Sequence, residues 1–256
     1  FNERKEELKT TDVMLSHLDR HGKALNVAEF YRKPYVLLVH NTHRYAGIAE
    51  KHRPDIHERF VYCIYNGEYT RDTLKYPNPS IIVHPPVSAD RVKTKRGDKI
   101  TLINLWEEKG GLIFQEIARR MPEYKFLGVK GGYGHQEVCD LKNIEYVENT
   151  PDIKKMYSKS RIVLMPSKYE SYGRVAVEAM CSGIPVIAHP TPGLKESLGD
   201  AGIFCLRDNI DEWVAAIKKL DDEKEYKAAS KAAVERFTAI EAMTAVELEE
   251  FEKFMI

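Results

Sequence analysis

Two glutamates eight residues apart, Glu170 and Glu178, flank the point where an apolar run, Arg161 to Met165, gives way through Ser167-Lys168-Tyr169-Glu170-Ser171-Tyr172-Gly173 to the helix-forming stretch from Arg174 to Met180. Run, turn, helix, Gly183 as helix stop and a second apolar run from Pro185 to Ala188 predict a βαβ unit. Ligands collect at the carboxyl ends of parallel strands, which puts Glu170 on the binding edge and Glu178 about two turns into the following helix. Backbone N–H groups at the helix start, Ser171, Tyr172 and Gly173, suit a phosphate. Carboxylates on either side of such a seat can accept hydrogen bonds from hydroxyls flanking that phosphate, which is the geometry of a nucleotide sugar. The spacing alone is common, and a helix glutamate is usually solvated. Glu178, however, stands among Val175, Ala176, Val177, Ala179 and Met180, where a carboxylate is costly without a partner.

A second strand-to-helix turn, Leu105-Trp106-Glu107-Glu108-Lys109-Gly110-Gly111, follows the apolar run Ile100 to Asn104. Its lysine and glycines can approach a diphosphate, glycine by admitting the backbone and the ammonium by neutralising charge. An exposed loop lysine is the ordinary alternative. The turn Gly131-Gly132-Tyr133-Gly134 lies on the same edge but lacks the full dinucleotide fingerprint. His40 and His43 lack a third ligand at zinc-binding spacing, and no Asp-x-Asp motif offers a metal-diphosphate site, so no metal and no cofactor are expected. Cys63, Cys139, Cys181 and Cys205 are isolated and read as buried thiols.

The elements that must carry these residues form an α/β chain. In the first part, the runs Val13 to Leu15, Tyr35 to Val39, Phe60 to Tyr65 and Ile81 to Val83 read as strands and Lys23 to Arg32 as a helix. After it, strands at Ile100 to Asn104, Lys125 to Val129, Ile144 to Val147, Arg161 to Met165, Pro185 to Ala188 and Ile203 to Cys205 alternate with helices. Those helices are Gly111 to Met121, Asp152 to Ser160, Gly173 to Ser182 and Asp211 to Leu220, the pattern of a doubly wound parallel sheet. The expected organisation is an α/β domain over 1–90, a linker over 91–98, a nucleotide-sugar-binding domain over 99–222 and a helical tail over 223–256 that packs back on the first domain. The first domain, which opens on Phe1 with about four strands where a full one has about six, reads as short or truncated.

Composition is that of a water-soluble protein: 43% of the 256 residues are apolar, and no run approaches the ~20 needed to span a bilayer. With no signal-peptide pattern, a cytoplasmic location is expected, compatible with peripheral contact at the inner face of a membrane. Charge balances overall, but residues 1–96 hold 17 Lys and Arg against 12 Asp and Glu, net +5, and the remainder carries 22 against 27, net −5. A mildly basic first part suits an anionic acceptor or an acidic membrane surface, and a solvated basic surface explains it equally. The interleaved charges match no nucleic-acid recognition motif.

Glu170, Glu178, Lys109 and the later Ala188-His189-Pro190-Thr191-Pro192-Gly193-Leu194-Lys195-Glu196, in that setting, resemble the retaining GT-B fold glycosyltransferases of family 4, the glycosyl transferases group 1. Their second domain carries a lysine-glycine turn after its first strand, a Glu-x7-Glu motif and a Gly-Leu-x-Glu turn. The resemblance runs from about Ile100 to Leu220 and implies two Rossmann-like parallel-sheet domains with a cleft between them. It implies that Lys109 contacts the donor diphosphate, Glu170 the hydroxyls of the transferred sugar and Glu178 the ribose. Ser171, Tyr172, Gly173, Arg174, Gly131 and Gly132 would complete the donor site, and the base would lie against the stretch from Tyr146 to Asp152. An arginine usually stands five residues before the lysine. Asn104 stands there in this chain, so either another cation compensates, with Arg174 or Lys168 nearest, or leaving-group stabilisation is weaker. Tyr35 to His43 looks like the family's strand ending in an active-site histidine, here His40, with His17, His43 and Arg44 on the acceptor side. The implied activity is metal-independent transfer of a sugar from a nucleotide-diphosphate sugar to an unidentified saccharide, lipid-linked or small-molecule hydroxyl. A nucleotide-sugar-binding module without transfer, or another GT-B enzyme such as a nucleotide-sugar epimerase, is the alternative.

Overall fold

Runs such as Tyr35-Val-Leu-Leu-Val are apolar at every position, and residues of this kind form strands that can be covered on both faces. The computed structural model, which describes residues 5–17, 21–43 and 61–255, builds two parallel sheets from them. The chain divides into one unit of Phe1–Pro85 with Thr244–Ile256 and another of Pro86–Met243.

In the first unit, β1 (Met14–His17), β2 (Tyr35–Val39), β3 (Val61–Tyr65) and β4 (Ser80–Ile82) pair in sequence order, all parallel. Their core holds Tyr35, Leu37, Val39, Cys63 and Tyr65. His17 ends β1 opposite Leu38, and His40 directly follows β2, so both lie at carboxyl ends of neighbouring strands.

In the second unit, β5 (Lys99–Ile103), β6 (Phe126–Val129), β7 (Ile144–Val147), β8 (Ser160–Met165), β9 (Val186–Ala188) and β10 (Ile203–Phe204) form one parallel sheet in the order β10-β9-β8-β5-β6-β7. Side chains of β8 alternate between its faces: Ile162 and Leu164 pack with Phe114, Ile117 and Trp213, while Val163 and Met165 pack with Val177, Met180 and Leu194. From β5 the chain builds outward through β6 and β7, then returns to place β8 on the other side of β5. The connections after β5 and β8 therefore part to opposite faces, leaving a crevice at their carboxyl ends.

Several boundaries depart from the sequence reading. The helix expected over Asp152 to Ser160 spans only Ile153–Tyr157, because Ser160 opens β8 by pairing with Lys99. A short helix, Ala89–Val92, runs into the expected linker and buries Val92 beside Val177 and Met180, and residues 86–98 belong to the second unit. Glu68–Leu74 and Pro192–Leu198 are further helices, the latter capped by the Thr191 hydroxyl accepting the Leu194 N–H. The tail is one helix, Glu223–Met255. Tyr226, Ala233, Phe237 and Ile240 form its buried stripe in the second unit, and from Thr244 onward it belongs to the first.

There, His84 and Glu247 tie the helix to the chain just after β4. The Glu247 carboxylate accepts the His84 backbone N–H at 2.9 Å, and its other oxygen lies 2.7 Å from Nδ1. Both side chains are largely covered, so removing the acceptor strands buried donors. Glu247→Ala is expected to lower unfolding free energy by about 1–3 kcal/mol in denaturant titration, and Glu247→Gln, which retains an acceptor oxygen, by less.

Candidate nucleotide-sugar site

At the end of β5 the backbone turns through Asn104 with φ +71°, a left-handed conformation that asparagine tolerates better than most residues. A short turn, Glu107–Lys109, follows and ends on Gly110, from which the helix Gly111–Arg120 departs. At the end of β8 the chain passes Pro166, Ser167 and Glu170, then Gly173 at φ +89°, and enters the helix Arg174–Cys181. These two turns face each other across the β5–β8 crevice. Lys109 Nζ lies 2.6 Å from Glu170 Oε1, and the Ser167 hydroxyl donates to the same oxygen at 2.9 Å. Both charged side chains are mostly covered, at 18% and 14% exposure, so the pair is shielded more than a surface ion pair. Gly193 underlies this loop: a Cβ there would meet Glu170 O and the Ser171 carbonyl carbon at 2.4 Å. Only glycine lets the helix Pro192–Leu198 approach the Glu170–Ser171 backbone so closely.

Glu178 has the partners its apolar setting demands. Tyr157 donates to Oε2 at 2.8 Å, and Arg174 Nε lies 2.9 Å from Oε1. Burial, reinforced by the Glu178 carboxylate, holds the Tyr157 phenol well above its usual pKa, so it remains a donor. Glu178 is thereby oriented from both sides, with Arg174 connecting it to the crevice.

The crevice encloses a cavity of about 310 Å³. Of the residues singled out in the sequence, Asn104, Lys109, Gly131, Gly132, Glu170, Gly173 and Arg174 line it. Ser171, Tyr172, Tyr146 and Glu178 do not. The Tyr172 ring is 2% exposed and belongs to the core. The Tyr146 hydroxyl accepts the Cys139 N–H at 3.2 Å, and its ring lies under Gly128. Lys130, Tyr133 and Ser167 also line the cavity without being singled out for it, and Asn149 and Thr150, from the stretch expected beside the base, line it as well. Glycine spacing drew attention to that loop, but which neighbours turn inward is decided by packing.

Asn104 is engaged in closing the loops. Its Oδ1 accepts from the Trp106 N–H at 3.2 Å and from Gln136 Nε2 at 3.1 Å. Gln136 Oε1 in turn accepts the N–H groups of Leu105 at 2.9 Å and Gly131 at 2.7 Å. Gln136 thus sutures the turn after β5 to the glycine-rich turn after β6, a role invisible at a sequence distance of 32 residues. Cations on the cavity wall are Lys109, Lys130 and Arg174. Lys168 is instead exposed, 3.5 Å from Glu108.

In the first unit, the His17 and His40 rings meet edge to face at 5.7 Å. Partial desolvation, and then the neighbouring His17, lower the His40 pKa below its ordinary 6.5. Asn66 donates to the His40 carbonyl at 3.3 Å, and His43 N donates to Asn41 Oδ1 at 3.0 Å. Arg44 lies outside the described residues. A separate cavity of about 320 Å³, lined by residues including Leu25, Ala28, Tyr35 and Val61, contains none of these histidines.

Residues 136–236 match the family model of glycosyl transferases group 1. An uncharacterized glycosyltransferase of Haemophilus influenzae is 26% identical over 123 residues, covering 44% of this chain and 35% of that protein. A D-inositol 3-phosphate glycosyltransferase of Corynebacterium kroppenstedtii is 38% identical over 80 residues, 30% of this chain and 18% of the relative. The chain therefore matches about a third or less of the length of these curated relatives. Among solved structures, Anabaena HepE in complex with UDP and glucose superposes with a TM-score of 0.75 at 18% identity, covering 97% of this chain and 80% of that one. A glycosyltransferase from Rickettsia africae gives 0.76 at 14% identity, with 99% and 78% covered. The chain has the GT-B fold of glycosyltransferases, and its residues 136–236 carry the signature of the glycosyl transferases group 1 family.

Proposed function

We propose that the chain is a glycosyltransferase that takes a sugar from a nucleotide-diphosphate sugar and delivers it, with retention and without a metal, to an acceptor hydroxyl. The observation that carries this reading is the Lys109–Glu170 contact at the β5–β8 crevice, next to the start of the helix Arg174–Cys181. Lysine neutralises a diphosphate, a helix start favours the same charge, and a carboxylate held beside them accepts sugar hydroxyls. Glu178, held by Tyr157 and Arg174 just behind the cavity wall, takes the ribose hydroxyls in this reading. A uridine nucleotide is the first donor to test, because HepE has been seen with UDP-glucose.

In this reading, the bond between the anomeric carbon and the leaving diphosphate oxygen breaks while the acceptor oxygen bonds to the same face. The acceptor proton passes to the departing phosphate oxygen. Charge builds on the diphosphate, where Lys109, with Lys130 and Arg174 on the same wall, can supply the stabilisation a divalent cation would otherwise give. Glu170 orients the sugar and does not attack it, unlike the nucleophilic carboxylate of a retaining glycosidase. His40, just past the end of a strand, is the proposed sugar-side histidine, with His17 and His43 proposed for the acceptor side.

A thermal-shift screen of nucleoside diphosphates and their sugars, followed by product analysis, tests the reading. UDP or another nucleoside diphosphate should raise the melting temperature, and the matching sugar nucleotide should undergo transfer or slow hydrolysis insensitive to chelator. Binding with neither reaction across a broad acceptor panel would favour a non-catalytic module. Glu170→Gln should lower kcat by roughly 100-fold, the scale of losing one aligned polar contact, with melting temperature unchanged; near-normal turnover would remove Glu170 from the site. Glu178→Gln, which keeps an acceptor for Tyr157, should weaken nucleotide binding about tenfold, or ~1.4 kcal/mol, with little change in kcat at saturation. An unaltered dissociation constant would show Glu178 to be structural only.

A further inference from the structure

Arg207 lies in the loop between β10 and the helix Ile210–Lys219, and nothing in its sequence surroundings marks it. Its backbone N–H donates to His189 Nδ1 at 3.1 Å, anchoring it beside the end of β9. Its guanidinium then reaches across the sheet edge to three main-chain carbonyls. Nη2 donates to Glu107 O at 2.8 Å, and Nη1 donates to Glu108 O at 3.3 Å and Pro166 O at 3.1 Å. Glu107 and Glu108 form the turn that ends in Lys109, and Pro166 begins the loop that carries Ser167 and Glu170. The Lys168 N–H closes the same junction by donating to Glu108 O at 2.9 Å. One planar group therefore bonds both turns whose side chains meet in the 2.6 Å Lys109–Glu170 contact.

We infer that Arg207 is a positioning residue: its guanidinium fixes the turn of Lys109 against the loop of Glu170, and so sets the affinity of the crevice for a diphosphate. The inference rests on the donor-site reading above. The fork geometry is what the role requires, since a planar guanidinium presents several donors in fixed directions, whereas an ammonium on a flexible stem cannot hold three carbonyls on two loops in one arrangement. Arg207 bonds the turn of Lys109 and the loop of Glu170, and in a nucleotide without a transferred sugar only Lys109 of that pair meets the ligand in this reading, so its loss should fall on the diphosphate.

The test compares dissociation constants for UDP and UMP, with GDP and GMP as a second pair, in the wild type, Arg207→Lys, Arg207→Gln, Lys109→Ala and the double variant Lys109→Ala/Arg207→Lys. Arg207→Lys is expected to weaken diphosphate binding about tenfold while leaving monophosphate binding within about twofold, which also shows that the variant is folded. In the Lys109→Ala background, Arg207→Lys should add no further loss, the sign of two residues acting through one interaction. Diphosphate binding equal to wild type, equal losses for mono- and diphosphate, or strictly additive effects overturn the inference, as does failure of both Arg207 variants to fold. A wild type that binds none of the four nucleotides overturns the donor-site reading first, and this inference with it.

Discussion

The adjacency of β5 and β8 in a parallel sheet is the constraint on which the site depends. Two parallel neighbours cannot be joined by a tight turn, so the chain passes through β6 and β7 before returning to place β8 beside β5. Their outgoing connections diverge and leave polar turns at the carboxyl ends, bridged by the Lys109–Glu170 pair and the Arg207 guanidinium. Lys109 and Glu170, 61 residues apart in sequence, meet at 2.6 Å because of this topology. The helices covering the sheet, with Phe114, Ile117 and Trp213 on one face and Val177, Met180 and Leu194 on the other, supply the apolar burial that holds the divergence open.

Polar groups near the crevice follow the rule that a buried charge or amide must be answered. Glu178 is answered by Tyr157 and Arg174, Glu170 by Lys109 and Ser167, and the loop amides of Leu105 and Gly131 by Gln136. These ties leave few independent movements in the turns around the cavity. Glu170 and Lys109 neutralise each other across the crevice, so an incoming diphosphate would compete with a carboxylate for the ammonium. Asn104 belongs to the same economy of contacts: with its backbone left-handed and its carboxamide oxygen shared between Trp106 and Gln136, it shapes the loop and brings no charge.

Much of the scaffold was legible in the sequence because apolar runs of four to six residues punctuated by glycine and proline leave few alternatives to a parallel α/β sheet. Tyr35–Val39 begins and ends with such a run. Errors gathered where a tertiary pairing competes with a local preference. Ser160 is helix-compatible, yet pairs with Lys99 and hydrogen-bonds Thr101 inside the sheet. Val92, in a charged and proline-rich stretch, is drawn into the core beside Met180. The short helix Pro192–Leu198 carries capping threonine and proline signals, but is only seven residues long and weakly periodic.

By itself, the sequence determined the order of the strands and of the longer helices between them, the turns that bear Lys109 and Glu170 and the helix that bears Glu178, since these depend on local spacing, punctuation and the cost of an unpaired carboxylate in an apolar stretch. Only the tertiary structure decided which polar groups meet. It brought Lys109 to Glu170, turned Asn104 toward Gln136, kept Tyr146 and Tyr172 out of the cavity and placed Lys130 and Arg174 on its wall. It also brought Arg207 to the carbonyls of two distant turns. Such contacts depend on side-chain direction and on strand neighbours tens of residues apart. Sequence periodicity records which face a residue takes, and carries no record of what lies opposite it across the sheet edge.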